Sequence, residues 1–507
     1  MILIFTLFPS RSRSVYNGLI TSWVFAPAGR KTPKRNFENT IRNSIPTPSI
    51  SATGLIGNKE PSPDLQRGNT LKKKYSLIAI ATATAIAGTT VMAMPAQAAK
   101  PSIVVWVDAP RLPGAKLYAQ IMKSKVDVKV ELHAQGDLLA KVQLFNRVKK
   151  GWPDVVFGPP NDVAVLKNPI IANARELSSL LTPAEIKDFG KLNDWSKGAD
   201  GKYYAIKNDM AQSVLWYNTK LFAEFGYKVP TKMSELFAIG KDLAAKHPGY
   251  SLGALSDAAA YSGYFWPSQC PLNNELSATR VLINPKDPKC TRVTTALQPL
   301  IDAGVYYAGS AFSPEYAAIA KAGKLVAHIG PSWYGEFVIR PAGSFAQPAG
   351  AWTAAPMPLW DGEKVAYSGE WGGGIYTVSP HSKFPRQALD FAIFMTSDKR
   401  NVVDVKNPDG STGAPTFPAN LKGNALWKAK IDADPYYASS PYPAMAVQAG
   451  KVWTGVKPVR YDADGAWGAA FAPELSKSKN LQKALEAYAA YTSNLAQQLG
   501  YEVTTKK

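Results

Sequence analysis

The stretch from residue 103 to residue 158 constrains the fold most. Ile103-Val104-Val105-Trp106-Val107 is an unbroken apolar run, the pattern of a strand covered on both faces. Val126–Leu132 alternates apolar and charged residues, as a half-buried strand does. Asp154-Val155-Val156-Phe157 is a further buried strand, stopped by Gly158-Pro159-Pro160. Helical spacing fills the gaps, at Ala115–Lys123 and Leu138–Lys149. Parallel neighbours need a crossover, and a helix supplies one while covering the sheet, so this alternation predicts an α/β unit with a largely parallel sheet.

The remainder continues in kind. Val214–Tyr217, Leu325–Ile329 and Gly374–Val378 read as strands. Thr219–Phe225 reads as a helix ended by Gly226, and Thr231–Lys246 as an amphipathic helix opened by Thr231 with Glu235 nearby. Val293–Ala303, Pro314–Ala322, Arg386–Thr396 and Leu481–Leu499 read as further helices. No repeat stands out, and the chain is long enough for two lobes, each with a core.

The front of the chain is an address. Lys72, Lys73 and Lys74 precede an Ala-rich, weakly apolar stretch from Tyr75 to Met94, followed by Pro95-Ala96-Gln97-Ala98-Ala99. A basic start, an apolar middle and an A-x-A site make a secretory signal peptide over 71–98, with the mature chain starting near Ala99. A membrane anchor is the competing reading; four threonines dilute the stretch, and no later apolar run reaches 18 residues. Residues 1–70 read as a spurious or disordered basic extension, with translation starting at Leu71. The formal net charge is +20; residues 1–98 hold 12 Lys/Arg and 3 Asp/Glu, which leaves the mature chain 46 basic and 35 acidic residues, or +11. Those bases are scattered, so no nucleic-acid partner is expected. Export makes a Cys270–Cys290 disulfide reasonable, two unpaired thiols being the alternative. Neither cysteine follows the cleavage site, so no lipid anchor through Cys is expected.

Catalytic signatures are weak. Gly249-Tyr250-Ser251-Leu252-Gly253 matches G-x-S-x-G, but a helix and His247-Pro248 precede it where a nucleophile elbow needs a strand. His133, His247, His328 and His381 are scattered and form no zinc motif. Gly372-Gly373-Gly374 lacks the Lys-Ser/Thr of a phosphate loop. The chain is read as a binding protein without metal or cofactor; a secreted α/β hydrolase is the rival of another class.

Several segments, taken in order, resemble a known family: Pro153–Phe157; Gly201-Lys202-Tyr203-Tyr204-Ala205-Ile206; Leu215-Trp216-Tyr217-Asn218-Thr219-Lys220-Leu221-Phe222; Pro230–Leu236; Tyr264-Phe265-Trp266-Pro267; Ile329-Gly330-Pro331-Ser332-Trp333; and Gly372–Ile375. The set resembles the maltose-binding-protein-like sugar receptors of bacterial ABC importers. The resemblance implies a two-lobed periplasmic binding protein fold, each lobe a mainly parallel sheet flanked by helices, with the ligand cleft between. Lobe 1 would hold 99–208 and 370–412; lobe 2 would hold 212–367 and 416–507. It further implies a monomeric extracytoplasmic receptor that hands a sugar to a membrane permease. The alternative within this class is a non-sugar solute such as a polyamine, an amino acid or glycerol phosphate.

A sugar offers apolar C–H faces and a rim of hydroxyls, so flat aromatics and paired hydrogen-bonding side chains suit it. At positions resembling the family's cleft, lobe 1 offers Asp108, Arg111, Asn161, Asp162, Asp209 and Gln212. Caps and turns are the competing roles for these. Lobe 2 offers Tyr264, Trp266, Trp333 and Trp467, and Glu370 and Trp371 lie at a crossover. Core packing is the competing role for each aromatic. Trp106 reads as core. Pro110 and Gly158 replace polar or aromatic family positions, so maltose itself is not implied.

Overall fold

The structure, a computed structural model, describes residues 99–506 apart from 135–136, 160–165, 167–172, 199 and 407–414. The signal peptide and upstream extension, and Asn161 and Asp162, lie outside the described residues.

The described strands are β1 (Ser102–Val107), β2 (Asp127–Leu132), β3 (Val155–Gly158), β4 (Ile206–Lys207), β5 (Ser213–Asn218), β6 (Gly253–Ala254), β7 (Asn274–Ser277), β8 (Arg280–Leu282), β9 (Tyr306–Tyr307), β10 (Ala327–Pro331), β11 (Trp352–Ala355), β12 (Ile375–Val378) and β13 (Glu502–Thr504). One sheet has the order β2-β1-β3-β12-β4 and another the order β10-β5-β11. Smaller sheets pair β6 with β9 and set β8 between β13 and β7. β1 is parallel to β2 and to β3, as the alternation predicts.

The expectation of mainly parallel sheets needs one correction. β12 is antiparallel to β3 and β4, and β5 is antiparallel to β10 and β11. These are the strands the chain enters on arriving from the other sheet. Residues 208–212 join β4 to β5 directly, without a crossover helix, and β12 is reached from β11 through 356–374. A strand delivered that way has no crossover to turn it parallel to its new neighbours.

The apolar runs are buried as their patterns demand. Ile103, Val105, Val107, Val155, Phe157, Tyr376 and Val378 form one core with Leu389, Phe391 and Ala392 of the helix Pro385–Ser397. A second core gathers Leu215, Leu236, Leu243, Leu297 and Leu485, from β5 and the helices Met233–Lys246, Pro288–Asp302 and Leu481–Gln498. The helix expected from Thr231 begins at Met233: the Glu235 carboxylate turns back to accept the N–H groups of Thr231 (2.7 Å) and Lys232 (3.2 Å), placing the turn later. The helix expected from Val293 begins at Pro288, where Asp287 accepts the Lys289 N–H at 2.8 Å. That first turn, Pro288-Lys289-Cys290-Thr291-Arg292, is mostly polar and carries no periodic signal. Cys290 in it is disulfide-bonded to Cys270.

Candidate functional site

The carboxyl ends of β3 and β4 meet the start of β12, since Gly158 and Lys207 both pair with Ile375. β1, parallel to β3, ends on the same edge. In open α/β sheets ligands bind in the crevice beyond the carboxyl ends of the strands. Asp108 and Arg111, directly after β1, and Asp209, directly after β4, stand there. Asp108 caps the turn Ala109–Arg111.

Three backbone segments run side by side at this edge. The 208–213 segment bonds to the 369–374 segment through Asn208 N–H to the Gly374 carbonyl (2.7 Å), Trp371 N–H to Ala211 (3.1 Å) and Ser213 N–H to Gly369 (2.9 Å). It bonds on its other side through Met210 N–H to Phe417 (3.0 Å), and Ala419 N–H returns to Asn208 (3.1 Å). The loop after β10 hooks on as well: Ser332 donates its N–H to the Gln212 carbonyl (2.9 Å) and its hydroxyl to the Met210 carbonyl (2.9 Å). Trp333, the next residue, is therefore held beside the passage between the sheets.

Charged side chains alternate along this junction. The Arg111 guanidinium lies 3.3 Å from the Asp108 carboxylate and 3.6 Å from that of Asp209, and sits 4.4 Å over the Phe157 ring. Burial opposes the Arg111 charge, but the two carboxylates outweigh it and hold the pKa above its ordinary value. Burial pushes the Asp209 carboxyl up, against the pull of Arg111 and of the Asn208 amide, which donates to it at 2.8 Å. Lys207, only 1 % exposed, places its Nζ 2.6 Å from Glu370 Oε1. The same oxygen accepts the Ala211 N–H at 3.2 Å. Gly373, with φ of +68°, makes room for that carboxylate: a Cβ there would lie 2.5 Å from Glu370 Oε1.

Aromatic rings adjoin the charges. Trp333 and Trp371 are part-exposed, with centroids 5.4 Å apart, and Trp333 Nε1 donates to the Trp371 carbonyl at 2.8 Å. Phe312 lies 6.4 Å from Trp333 with near-parallel rings and 6.2 Å from Trp371, and is 52 % exposed. Its loop is held by Asp257, whose carboxylate accepts the Ser310 hydroxyl (2.7 Å) and the Ala311 N–H (2.6 Å).

The junction thus gathers Asp108, Arg111, Asp209, Glu370, Trp333 and Trp371. The other expected residues have partners elsewhere. The Gln212 amide is buried and donates to the Met445 carbonyl at 2.8 Å. Tyr264 is buried and donates its hydroxyl to Tyr306 at 2.9 Å. Trp467 is buried, stacks on Phe471 at 3.7 Å and donates to the Ser256 carbonyl at 3.1 Å. Trp266 is part-exposed and donates to the Trp453 carbonyl at 2.8 Å. Lys207 and Phe312 were not legible. Lys207 had one usable signal, a cation within the apolar run before Asp209; an exposed Phe in a Ser-rich turn offers none. Ser251 of the G-x-S-x-G match is buried, with its hydroxyl on the Val305 carbonyl at 3.0 Å. Among the described residues no cluster of His, Cys, Asp and Glu is placed to hold a metal ion.

Two cores are thus joined by backbone passages, with charges and part-exposed rings at the junction. The chain belongs to the family described as bacterial extracellular solute-binding protein, whose profile matches residues 116–416. Its fold is similar to that of the ABC transporter associated binding protein from B. animalis subsp. lactis in complex with beta-1,6-galactobiose (TM-score 0.62, 19 % identity, 80 % of this chain and 100 % of that one). It is likewise similar to the galacto-N-biose-/lacto-N-biose I-binding protein from Bifidobacterium longum in complex with lacto-N-biose (TM-score 0.62, 15 %, 80 % and 99 %). A third is the maltose/maltodextrin-binding domain from Bdellovibrio bacteriovorus bound to maltotriose (TM-score 0.55, 16 %, 78 % and 100 %). No curated protein sequence matches the chain significantly. The fold is therefore the two-lobed binding-protein fold, and family membership marks an exported protein. Among the described residues no helix is long and apolar enough to cross a membrane.

Proposed function

We propose that the protein is an extracytoplasmic receptor that captures an uncharged sugar or oligosaccharide between its lobes, 99–208 with 370–412 and 212–367 with 416–507, and delivers it to an ABC permease. The observation that carries this reading is the platform of part-exposed Trp333 and Trp371 with exposed Phe312, beside the charged row Asp108, Arg111, Asp209 and Glu370. The rings match the C–H faces of a pyranose, and Asp108 and Arg111, the less buried of the charged groups, match its hydroxyls, with Asp209 and Glu370 behind them. Asn161 and Asp162, beyond β3, belong to the same proposed rim; Trp266 flanks it, and Gln212, Tyr264 and Trp467 support it from the core.

Charge pairing favours an uncharged solute. Arg111 is already engaged by Asp108 and Asp209, and Lys207 by Glu370. A phosphate or uronate would have to displace a carboxylate from one of these cations. Binding without catalysis fits the packed position of Ser251. The receptor works as a monomer.

A thermal-shift screen of the mature chain tests this, because a ligand of the folded state alone raises the melting temperature. Neutral oligosaccharides such as maltotriose or lacto-N-biose are expected to raise it. Shifts only from glycerol phosphate, amino acids or polyamines would replace the sugar with that class.

A further inference from the structure

We propose that Lys207 is a positioning residue for the aromatic platform: too buried to touch a solute, it fixes Trp371 and Trp333 through Glu370. Lys207 ends β4 in the first sheet, and its side chain lies inside the protein beneath the passage to the second sheet. One oxygen, Glu370 Oε1, joins three places. It belongs to the returning segment, it accepts the Lys207 ammonium at 2.6 Å from β4, and it accepts the Ala211 N–H at 3.2 Å from the outgoing segment. The residue after Glu370 is Trp371, whose N–H bonds the Ala211 carbonyl at 3.1 Å and whose own carbonyl holds Trp333 Nε1 at 2.8 Å. Position therefore passes from Lys207 to Glu370, along one peptide to Trp371, and across one hydrogen bond to Trp333.

The glycines beside the pair fit this role. A Cβ at Gly372 would lie 2.9 Å from Trp333 Nε1, and one at Gly373 would lie 2.5 Å from Glu370 Oε1 and 2.7 Å from the Asp209 carbonyl. The backbone is packed so closely on both the carboxylate and the indole that displacing one displaces the other. Buried ion pairs add little net stability, because desolvation offsets their attraction, while removing one partner strands the other's charge. What the pair supplies here is register. The inference deepens the sugar reading by naming what holds its platform, and rests on that reading. Its test uses no sugar, so the two fail separately.

The test is the emission and acrylamide quenching of the mature chain, measured with and without Trp333→Phe so that the difference spectrum isolates Trp333. Lys207→Met is expected to red-shift the Trp333 component and raise its quenching, while the emission that remains in a Trp333→Phe, Trp371→Phe background stays as it was. Glu370→Gln, which keeps the side-chain shape and an acceptor for Ala211, shifts the component in the same direction by less. Lys207→Arg, which keeps the charge, returns it toward the wild-type position. A Lys207→Met protein that melts earlier yet leaves the Trp333 component unchanged overturns the proposal. If Lys207→Met does not fold, an unchanged component in folded Glu370→Gln overturns it equally.

Discussion

Trp333 and Trp467 both read from sequence as rings that stack on a ligand, and what covers each ring separates them. Trp467 has Phe471 against it at 3.7 Å and is 1 % exposed. Trp467→Ala should cost about 3–5 kcal/mol of stability, as large-to-small changes of a buried Trp do, measured by urea unfolding. Trp333 is part-exposed, so Trp333→Ala should leave the melting temperature nearly unchanged. A second pair of residues sets a pH dependence. Burial, reinforced by Asp462, pushes the Asp464 carboxyl up to about 7. The native state keeps a proton there that the unfolded chain loses near about pH 3.9, so this group lowers stability as pH rises from there to about 7. Burial lowers His328 to about 3, so the unfolded chain takes up a proton first and stability falls as pH drops below about 6.5. Between about pH 4 and 6.5 the two slopes oppose each other. Asp464→Asn removes the opposing Asp464 slope, so over that range its stability should rise more, or fall less, with pH than the wild type's, the difference approaching about 1.4 kcal/mol per unit. A variant whose pH–stability curve matches the wild type would refute the assignment.

At the scale of elements, the segments with one clean period were legible. β1, β3 and β5 are continuous apolar runs, and the helices Met233–Lys246 and Leu481–Gln498 have regular apolar spacing. Their ends were less legible, because caps such as Asp287 and the back-turned Glu235 act through hydrogen bonds that periodicity does not record. Strand direction in β5 and β12 was hidden as well, since it follows from where the chain arrives. The Cys270–Cys290 bond pins the start of the helix Pro288–Asp302 to the residue four beyond Trp266. Cys270→Ser with Cys290→Ser should lower stability by roughly 3 kcal/mol in the chain-entropy account, read as a lower denaturation midpoint that reducing agent reproduces in the wild type. Gly373→Ala combines a strained φ of +68° with the contact on Glu370, so it should destabilise by more than the usual ~1 kcal/mol of an αL glycine replacement.

For the whole molecule, the ordered motifs carried the family, which no single segment would have done. The placement of Asp108 and Arg111 at the junction was legible, because they follow an apolar run that reads as a strand; that of Asp209 rested on the resemblance, since the two-residue strand before it has no period of its own. The site was illegible where exposure decides, as at Phe312, because a sequence records a ring but not which of its faces is free. On the proposed lobe division the passages at 208–213, 369–374 and 417–419 would serve as the hinge, hinge closure being an established motion of periplasmic binding proteins. A stabilising sugar should therefore reduce the radius of gyration in solution scattering. Isothermal titration of the best neutral oligosaccharide, on the wild type and on Trp333→Ala, tests the central claim most directly. The account predicts saturable one-site binding by the wild type and its loss in a variant that melts normally; equal binding by both proteins, or no binding of any neutral sugar, would contradict it.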